Sequence, residues 1–251
     1  MDMTLLLNCD LGESACIDSH NVDSEVMPFI DQASIACGQH AGDADVMAHT
    51  LNLAGKNKVC VGAHPSYPDR ENFGRLSMDI PHHKLISLIK EQIATLTTIA
   101  TAQGITVSYV KPHGALYNDM MANGHIRSAV MQAISDCPQP LAFMLQATPD
   151  ADQHTHEAEA FGLSLIFEVF ADRCYADNGA LLSRSLPGAV HSREKMLKQV
   201  TQLCNEGSIT TVSGHRLALQ ADSICVHGDN AEGVAAIREI RQILAAQKSH
   251  V

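Results

Sequence analysis

Short apolar runs alternate with amphipathic helical patterns along the whole chain. The runs are almost continuously apolar, which is typical of strands buried on both faces of a parallel sheet. Seven such strands are predicted: Thr4–Cys9, Ala33–Cys37, Val59–Ala63, Thr106–Val110, Leu141–Leu145, Leu163–Val169 and Ser223–Val226.

Helices are predicted between several of these strands. The longest, His82–Gln103, follows Pro81 and precedes Gly104, which are typical start and stop signals. Asp43, Ser192 and Asn230 are suitable N-caps for three further helices, and Pro149 suits the first turn of another. The helix after Ser192 is predicted to end at Gly207.

Repeated strand–helix units without a Gly/Ser-rich linker predict a single α/β domain over residues 1–251. No Gly-x-Gly-x-x-Gly turn follows the first strand, so a (β/α) barrel of about seven parallel strands is favoured over an open sheet. Two short runs, Ile209–Val212 and Leu217–Leu219, predict a small β-hairpin near residues 209–219.

Composition narrows the function classes. The 251 residues carry 17 basic and 28 acidic side chains, a net charge of −11, which disfavours a nucleic-acid or anionic-membrane surface. No apolar stretch is long enough to predict a transmembrane helix, and the first residues do not resemble a signal peptide. The eight cysteines lack metal-finger spacing and are expected to be reduced, Cys9, Cys37, Cys60 and Cys225 as small buried hydrophobes, in a cytoplasmic protein.

Polar residues cluster just beyond the predicted strand ends, where barrels assemble their active sites. The candidates are Asn8, Asp10, Glu13, His40, Asp43, His64, Asp69, Arg70, Arg75, Lys111, His113, Asp172, Arg173, His227 and Asp229. Asp43 has an equally good interpretation as a helix cap, and the loop arginines as ordinary surface ion pairs. Four histidines beside separate strand ends nevertheless favour one functional site.

The residue types limit the chemistry. Asp and His side chains serve as metal ligands or as general acids and bases, while Lys111 and Arg173 offer fixed positive charge for a carboxylate or an oxyanion. No His-Glu-x-x-His helix, Gly-x-Ser-x-Gly elbow or Walker-type phosphate loop is present. These residues favour attack by water on a small anionic substrate.

The same stretches resemble the motifs of the LamB/YcsF family, in the family's order from residue 4 to about 240. They are Leu7–Ser14, Ile35–Asp43, Gly62–Arg70 with Phe73–Arg75, Val110–Asn118, Glu168–Tyr175 and Cys225–Asp229. Gln39 stands where the family usually has an aromatic residue, and Ala44 stands where it has proline. Both positions adjoin the polar set, where they are expected to affect substrate preference.

The resemblance implies an irregular seven-stranded barrel similar to that of polysaccharide deacetylases. It also implies ATP-dependent opening of the lactam 5-oxo-L-proline to L-glutamate, carried out together with subunits B and C of a 5-oxoprolinase. On this interpretation the catalytic candidates are Asp10, His40, His64, His113 and Asp229. The substrate-binding candidates are Asn8, Glu13, Asp43, Arg75, Lys111, Arg173 and His227.

Two other functions fit the same residues. One is a metal-dependent deacetylase or amidohydrolase that acts on a small or carbohydrate substrate, with a divalent cation held by Asp10, His40, His64 and Asp229. The other is a non-catalytic scaffold that docks ATP-using partners. Which residue is the general base, and whether ATP binds this chain or a partner, stay open at the level of sequence.

Overall fold

A computed structural model of the protein describes residues 5–14 and 22–247. Seven parallel strands close into a barrel in chain order, with the last strand pairing with both the sixth and the first. The barrel strands are β1 (Leu6–Leu11), β2 (Gln32–Ala36), β3 (Cys60–His64), β4 (Val107–Val110), β5 (Ala142–Gln146), β6 (Leu165–Phe170) and β9 (Ser223–His227). The predicted fold class is confirmed.

Helices connect these strands on the outside of the barrel. They are α1 (Val22–Val26), α2 (Ala44–Asn57), α3 (His82–Ala102), α4 (Gly114–Ala122), α5 (Gly124–Ser135), α6 (Ala151–Glu159), α7 (Arg193–Glu206) and α8 (Ala231–Gln247). A short 3-10 helix, Met27–Phe29, precedes β2. The sequence patterns did not predict α1, α4 or α5.

Burial of one helix face explains why the amphipathic patterns were predictive. In α3 the stripe of Leu85, Ile89, Ile93, Leu96 and Ala100 is buried in the core between helix and barrel. Gly207 ends α7 with a left-handed φ of 62°, a conformation in which glycine has no side-chain penalty. Helix pattern and packing therefore agree in these elements.

The segment between α7 and β9 forms an antiparallel pair of short strands, β7 (Ser208–Thr210) and β8 (Arg216–Ala218). Each strand begins one residue before the predicted run, and the connecting turn is longer. The predicted first strand begins at Thr4, which lies outside the described residues, as does Cys16.

The barrel interior is irregular at β3. The register between β3 and β4 shifts between Val61 and Gly62, and a Cβ atom on Gly62 would lie 2.2 Å from the ring of Tyr109. Glycine is required here because the buried Tyr109 ring occupies that space, where its hydroxyl contacts Ser34 Oγ at 3.2 Å.

Cysteine burial agrees with the sequence analysis at Cys9, Cys37 and Cys225, which are buried free thiols. The expectation is wrong for Cys60, which is exposed because it begins β3 at the N-terminal end of the barrel. In the part of the chain that the structure describes, no helix is both long and apolar enough to cross a lipid bilayer.

Candidate active site at the barrel mouth

A buried ion network fills the centre of the barrel. The Lys111 ammonium, directly after β4, lies 2.9 Å from Asp10 Oδ1 of β1 and 2.9 Å from Glu168 Oε2 of β6. It also donates to Asn8 Oδ1 at 3.2 Å. We call this set (Asn8, Asp10, Lys111 and Glu168) the core ion network; its two carboxylates outnumber its one ammonium.

The surroundings fix the protonation of this network. Burial alone would lower the pKa of Lys111, but the charges of Asp10 and Glu168 outweigh burial and raise it well above its usual range. Burial alone would raise the pKa of Asp10, but His64 and Lys111 outweigh burial and lower it to about 2. Burial raises the pKa of Glu168, whose carboxylate accepts hydrogen bonds from Tyr117 Oη at 2.9 Å and Asn8 Nδ2 at 3.2 Å.

Three histidines surround the Glu13 carboxylate beside this network. Glu13 Oε1 lies 3.1 Å from His40 Nε2, 3.9 Å from His64 Nε2 and 3.2 Å from His113 Nδ1. We call these four residues the histidine cluster. Its histidines come from the loop after β2, the end of β3 and the loop after β4, while Glu13 follows β1.

Burial keeps two imidazoles of the histidine cluster, those of His40 and His64, in the neutral form. Burial lowers the pKa of His40 and lowers that of His64 to about 3. Burial alone would raise the pKa of Glu13, but the interactions with His113 and His40 outweigh it and hold that pKa well below its usual range. The cluster at neutral pH therefore contains a carboxylate and neutral imidazoles at positions 40 and 64.

Gly74 lets the loop after β3 approach this cluster. It adopts a left-handed φ of 65°, and a Cβ atom there would lie 2.9 Å from both His113 Cδ2 and His40 Cβ. The rings of His40 and His113 stack beneath it with centroids 3.7 Å apart. A side chain at position 74 would therefore displace one of the two imidazoles.

A second acid–imidazole pair lies across the mouth. Asp172, in the loop after β6, accepts a hydrogen bond from His227 Nδ1 at 2.9 Å and one from Asn230 Nδ2 at 3.0 Å. The interaction with His227 and these hydrogen bonds outweigh burial and lower the pKa of Asp172. The ionised carboxylate keeps the proton of the imidazole on Nδ1, which leaves Nε2 with a free lone pair.

Arginines surround the rim of the mouth. Asp229 pairs with Arg75 from the loop after β3 and, at 3.1 Å, with Arg184 from the loop after β6. Arg173 is buried; its Nη2 donates to the Leu182 carbonyl at 2.5 Å, and its Nε has no hydrogen-bond partner among the described residues. We call Arg75, Arg184 and Asp229 the rim triad.

These groups share one cavity of about 670 Å³ at the C-terminal ends of the strands. Most of the predicted site residues line it: Asp10, Glu13, His64, Arg75, Lys111, His113, Arg173, His227 and Asp229. Asn8 and His40 are buried directly behind this lining, bonded to Lys111 and to Glu13 respectively. The structure thus brings eleven of the twelve candidates to one region.

Asp43 lies elsewhere. It is exposed and caps α2, where its carboxylate accepts a hydrogen bond from the Val46 N–H at 2.9 Å. This is the helix-cap interpretation that the sequence also offered, and the substrate-binding role of Asp43 stays a prediction. Asp69 is half-buried and accepts hydrogen bonds from Asn72 Nδ2 and the Leu76 N–H, and Arg70 donates to the carbonyls of Gly38 and Gly42, so both organise loops.

The predicted metal set is not found as one cluster. Asp229 is engaged by two arginines and Asp10 by Lys111, whereas Glu13 and His113 join His40 and His64. The amount of positive charge available to a substrate also differs from the expectation, because Lys111 already contacts two carboxylates.

Sequence reasoning missed Glu168 and Tyr117 as site residues and did not assign Asp172 a role. Glu168 had a readable signal, because it is the single charged residue in the apolar strand LIFEVF. A charge within a continuously apolar strand requires a buried partner, and Lys111 is that partner. No comparable signal marked Arg184, which lies in a polar loop.

Comparisons with known proteins identify relatives of this chain. The chain is 48% identical over 246 residues to the A subunit of 5-oxoprolinase from Pseudomonas fluorescens, covering 98% of each protein. It is 44% identical over 242 residues to the A subunit of 5-oxoprolinase from Vibrio cholerae, covering 96% of this chain and 98% of that one. Its structure is similar to the crystal structure of the lactam utilization protein from Thermus thermophilus, with a TM-score of 0.87, 30% identity and 98% of each chain covered.

The LamB/YcsF family model matches residues 5–251, and therefore includes every strand of the barrel and every residue of the cavity. Together with relatives that are 43–48% identical over nearly their whole length, this match confirms the resemblance found in the sequence. The chain belongs to the LamB/YcsF family.

Proposed function

We propose that this chain binds 5-oxo-L-proline and opens its lactam as the A subunit of an ATP-dependent 5-oxoprolinase. The observation that carries the proposal is the near-complete match to relatives that bear this name. The cavity supports it, since its volume of about 670 Å³ accommodates a small amino-acid derivative together with part of a second molecule. Its lining combines carboxylates, imidazoles and arginines.

The overall reaction converts 5-oxo-L-proline, ATP and two water molecules into L-glutamate, ADP and phosphate. A five-membered lactam resists direct hydrolysis, so ATP drives the opening by transferring its γ-phosphoryl group to the lactam oxygen. One water molecule then adds to the activated carbon, and the C–N bond breaks as the ring nitrogen takes up a proton, which leaves γ-glutamyl phosphate. A second water molecule hydrolyses this acyl phosphate to L-glutamate and phosphate. ATP is therefore a cosubstrate.

Within the cavity, positive charge and imidazoles lie at different places. Arg173 has a buried Nε–H without a partner among the described residues, which suits it to the substrate carboxylate. His227 is fixed by Asp172 with Nε2 free, the arrangement of a general base that takes a proton from water. His227 is thus proposed as a base, whereas the sequence suggested substrate binding.

The core ion network serves the reaction by staying rigid. Lys111 and Asp10 hold each other at 2.9 Å and both line the cavity, so their charges need no reorganisation when substrate binds. The Asp10 carboxylate, ionised at neutral pH, stabilises positive charge that develops on the ring nitrogen or on His227. The proposed catalytic role of Asp10 is therefore electrostatic stabilisation of this positive charge.

Partner subunits B and C complete the enzyme in this proposal. The sequence has no Walker-type phosphate loop, and its net charge of −11 does not attract a nucleotide. We expect the partners to supply the phosphoryl-transfer machinery and the complex to work in the cytoplasm, where ATP is available. The isolated chain is therefore expected to be inactive.

A metal-dependent amidohydrolase is the second candidate, and the histidine cluster is the observation that favours it. The two functions differ in their need for ATP. An amidohydrolase would release its product without ATP and without partners, whereas the proposed lactamase activity requires both.

The test is a reconstituted assay. The chain is mixed with subunits B and C, 5-oxo-L-proline and ATP, and L-glutamate and ADP are measured in equal amounts. His227→Gln should lower kcat at least a hundredfold. The control is His215→Gln, at an exposed histidine that pairs with Asp177, and it should leave kcat unchanged. Glutamate formed by the chain alone at the rate of the mixture, or full activity of the His227 variant, would contradict the proposal.

A further inference from the structure

The histidine cluster gathers four potential ligand groups around one buried point. Within residues 5–14 and 22–247, the Glu13 carboxylate has three histidines and no lysine or arginine at ion-pair distance. The ligand atoms of Glu13, His40, His64 and His113 all lie within 4.8 Å of one another, and the three histidines are buried. An imidazole can donate a hydrogen bond to this carboxylate only if the nitrogen that faces it carries a proton. The position of the proton on each ring therefore has to be established.

The outer nitrogens of His40 and His64 each donate a hydrogen bond. His64 Nδ1 lies 2.6 Å from the Lys111 carbonyl, which can only accept, so this nitrogen carries the proton. His40 Nδ1 lies 2.9 Å from Ser66 Oγ, whose own proton goes to the Tyr67 carbonyl. Ser66 therefore accepts from His40, and both imidazoles direct an unprotonated Nε2 toward Glu13.

The third imidazole follows the same rule. His113 Nε2 lies 2.9 Å from the Phe73 carbonyl, which can only accept, so Nε2 carries a proton and the ring's one available lone pair is on Nδ1. That Nδ1 lies 3.0 Å from His64 Nε2 and 3.2 Å from Glu13 Oε1. Three nitrogen lone pairs and a carboxylate oxygen thus converge, and they repel one another unless a positive charge lies among them.

The spacing of the donors suits a metal ion. Four ligand atoms about 2.1 Å from a tetrahedral ion are separated by about 3.4 Å. The separations here are 3.0 Å between His64 and His113, 3.1 and 3.2 Å from Glu13 to His40 and His113, and 3.9 Å from Glu13 to His64. A proton shared between two of these atoms would stabilise only that pair, whereas a metal ion binds all four ligand atoms.

We infer that Glu13, His40, His64 and His113 bind one divalent transition-metal ion of the zinc class. Imidazole-rich sites with one carboxylate favour zinc over magnesium or calcium, which prefer oxygen ligands. The Lys111 and Phe73 carbonyls and Ser66 act as outer acceptors that fix the ring orientations, as such acceptors do in metal sites generally.

The stacked rings add a structural consequence. The planes of His40 and His113 differ by 5°, whereas His64 is nearly perpendicular to both, at 81° and 82°. Lone pairs of parallel rings run side by side, so one of the two rings must tilt for both to bind the same ion. Metal binding should therefore change the ring resonances of His40 and His113 more than those of the histidines outside the histidine cluster.

The test measures metal on the isolated, untagged full-length chain, without any 5-oxo-L-proline. The protein is stripped with a chelator, dialysed against micromolar zinc, and analysed for bound metal; replacement by cobalt gives a visible spectrum that reports coordination. We expect about one ion per chain. Glu13→Gln and His64→Asn should each weaken binding by at least about tenfold.

The matched control is His125→Asn, which removes an exposed histidine that lies against His82 with ring centroids 4.4 Å apart. This variant should bind zinc as the unchanged protein does, and circular dichroism should show that all variants are folded. No bound zinc in the folded unchanged protein, or unaltered affinity in folded Glu13 and His64 variants, would overturn the inference.

The inference does not depend on the lactam proposal. A chain that fails to bind zinc but supports ATP-dependent glutamate release overturns only the metal site. A chain that binds zinc through these residues but shows no such activity with its partners leaves the metal site standing and contradicts the proposed function.

Discussion

The core ion network and the rim triad contain the same kinds of charge in opposite surroundings. Lys111 is 2% exposed, and its partners Asp10 and Glu168 are 6% and 0% exposed. In the rim triad Arg75 is 46% and Arg184 is 33% exposed, and they share Asp229. Burial, not the number of ion pairs, distinguishes the two regions.

The difference indicates which charges a substrate can use. Buried charges interact strongly, and removing one of them leaves its partners buried without an opposite charge. Charges at the rim are screened by water and exchange partners at little cost. The network therefore shapes the cavity, while the rim is free to rearrange around an incoming anion.

The largest expected effect comes from removing the buried ammonium. Lys111→Met leaves two carboxylates buried without a cation and should lower the free energy of unfolding by about 3–5 kcal/mol. Urea unfolding measures this change. The matched control is Lys90→Met, which breaks the exposed pair with Asp136 and should cost less than about 1 kcal/mol.

A double variant checks that the loss is electrostatic. Adding Glu168→Gln to Lys111→Met removes one unpaired charge, so the double variant should be more stable than Lys111→Met alone. Equal costs for Lys111→Met and Lys90→Met would show that burial does not separate the two regions.

An ion pair of intermediate exposure should give an intermediate effect that depends on pH. Glu157 is 31% exposed and Arg127 is 6% exposed; Arg127 Nε lies 2.6 Å from Glu157 Oε2, and Nη2 lies 3.0 Å from Oε1. Hydrogen bonds from Arg127 outweigh burial and lower the pKa of Glu157 from 4.5 to about 2. Because the folded pKa is depressed, this stabilisation is present above pH 4.5 and is lost as pH falls toward 2.

Glu157→Gln should therefore cost about 1–2 kcal/mol at pH 7, after allowance for solvent screening, and much less near about pH 2.5. Unfolding free energies of the variant and the unchanged protein are compared at both pH values. Glu159→Gln, at a more exposed carboxylate on the same helix, should show little difference at either. A cost independent of pH would mean that packing, not charge, makes this pair stabilising.

At the rim, the expected effect is on substrate binding. Arg75→Gln should raise the KM for 5-oxo-L-proline about three- to tenfold in the reconstituted assay with little change in kcat, since the side chain lines the cavity but is half-exposed. Arg216→Gln removes a similarly exposed arginine paired with Glu206 near the hairpin and should leave KM unchanged. A fall in kcat without a change in KM would place Arg75 at the reacting atoms instead.

How far the sequence predicts this site depends on where each residue lies along its strand. Asp10, His64 and His227 are recognisable because each polar residue comes at the end of an apolar run. The role of Glu13 is not, since its approach to three histidines depends on loops of different lengths that only the closed barrel aligns. Helices α4 and α5 were missed because both begin at glycine, although Asn123 caps the second by accepting from the His125 N–H at 2.9 Å.

The smallest expected effect on stability comes from removing Arg184 from the rim triad. Arg184→Ala removes a part-exposed arginine from Asp229, which keeps Arg75 as its partner. The free energy of unfolding should therefore change by less than about 0.5 kcal/mol in a urea titration.

Arg184 also connects the loop after β6 to the loop after β9, so its loss should increase protease cleavage within residues 177–190 while the barrel stays intact. Cleavage at an unchanged rate would mean that the antiparallel bridges Arg173–Val190 and Tyr175–Leu181 hold this loop without Arg184. In that case Arg184 is free to leave Asp229 and pair with a substrate anion, and the rim triad differs from the core ion network in mobility as well as in exposure.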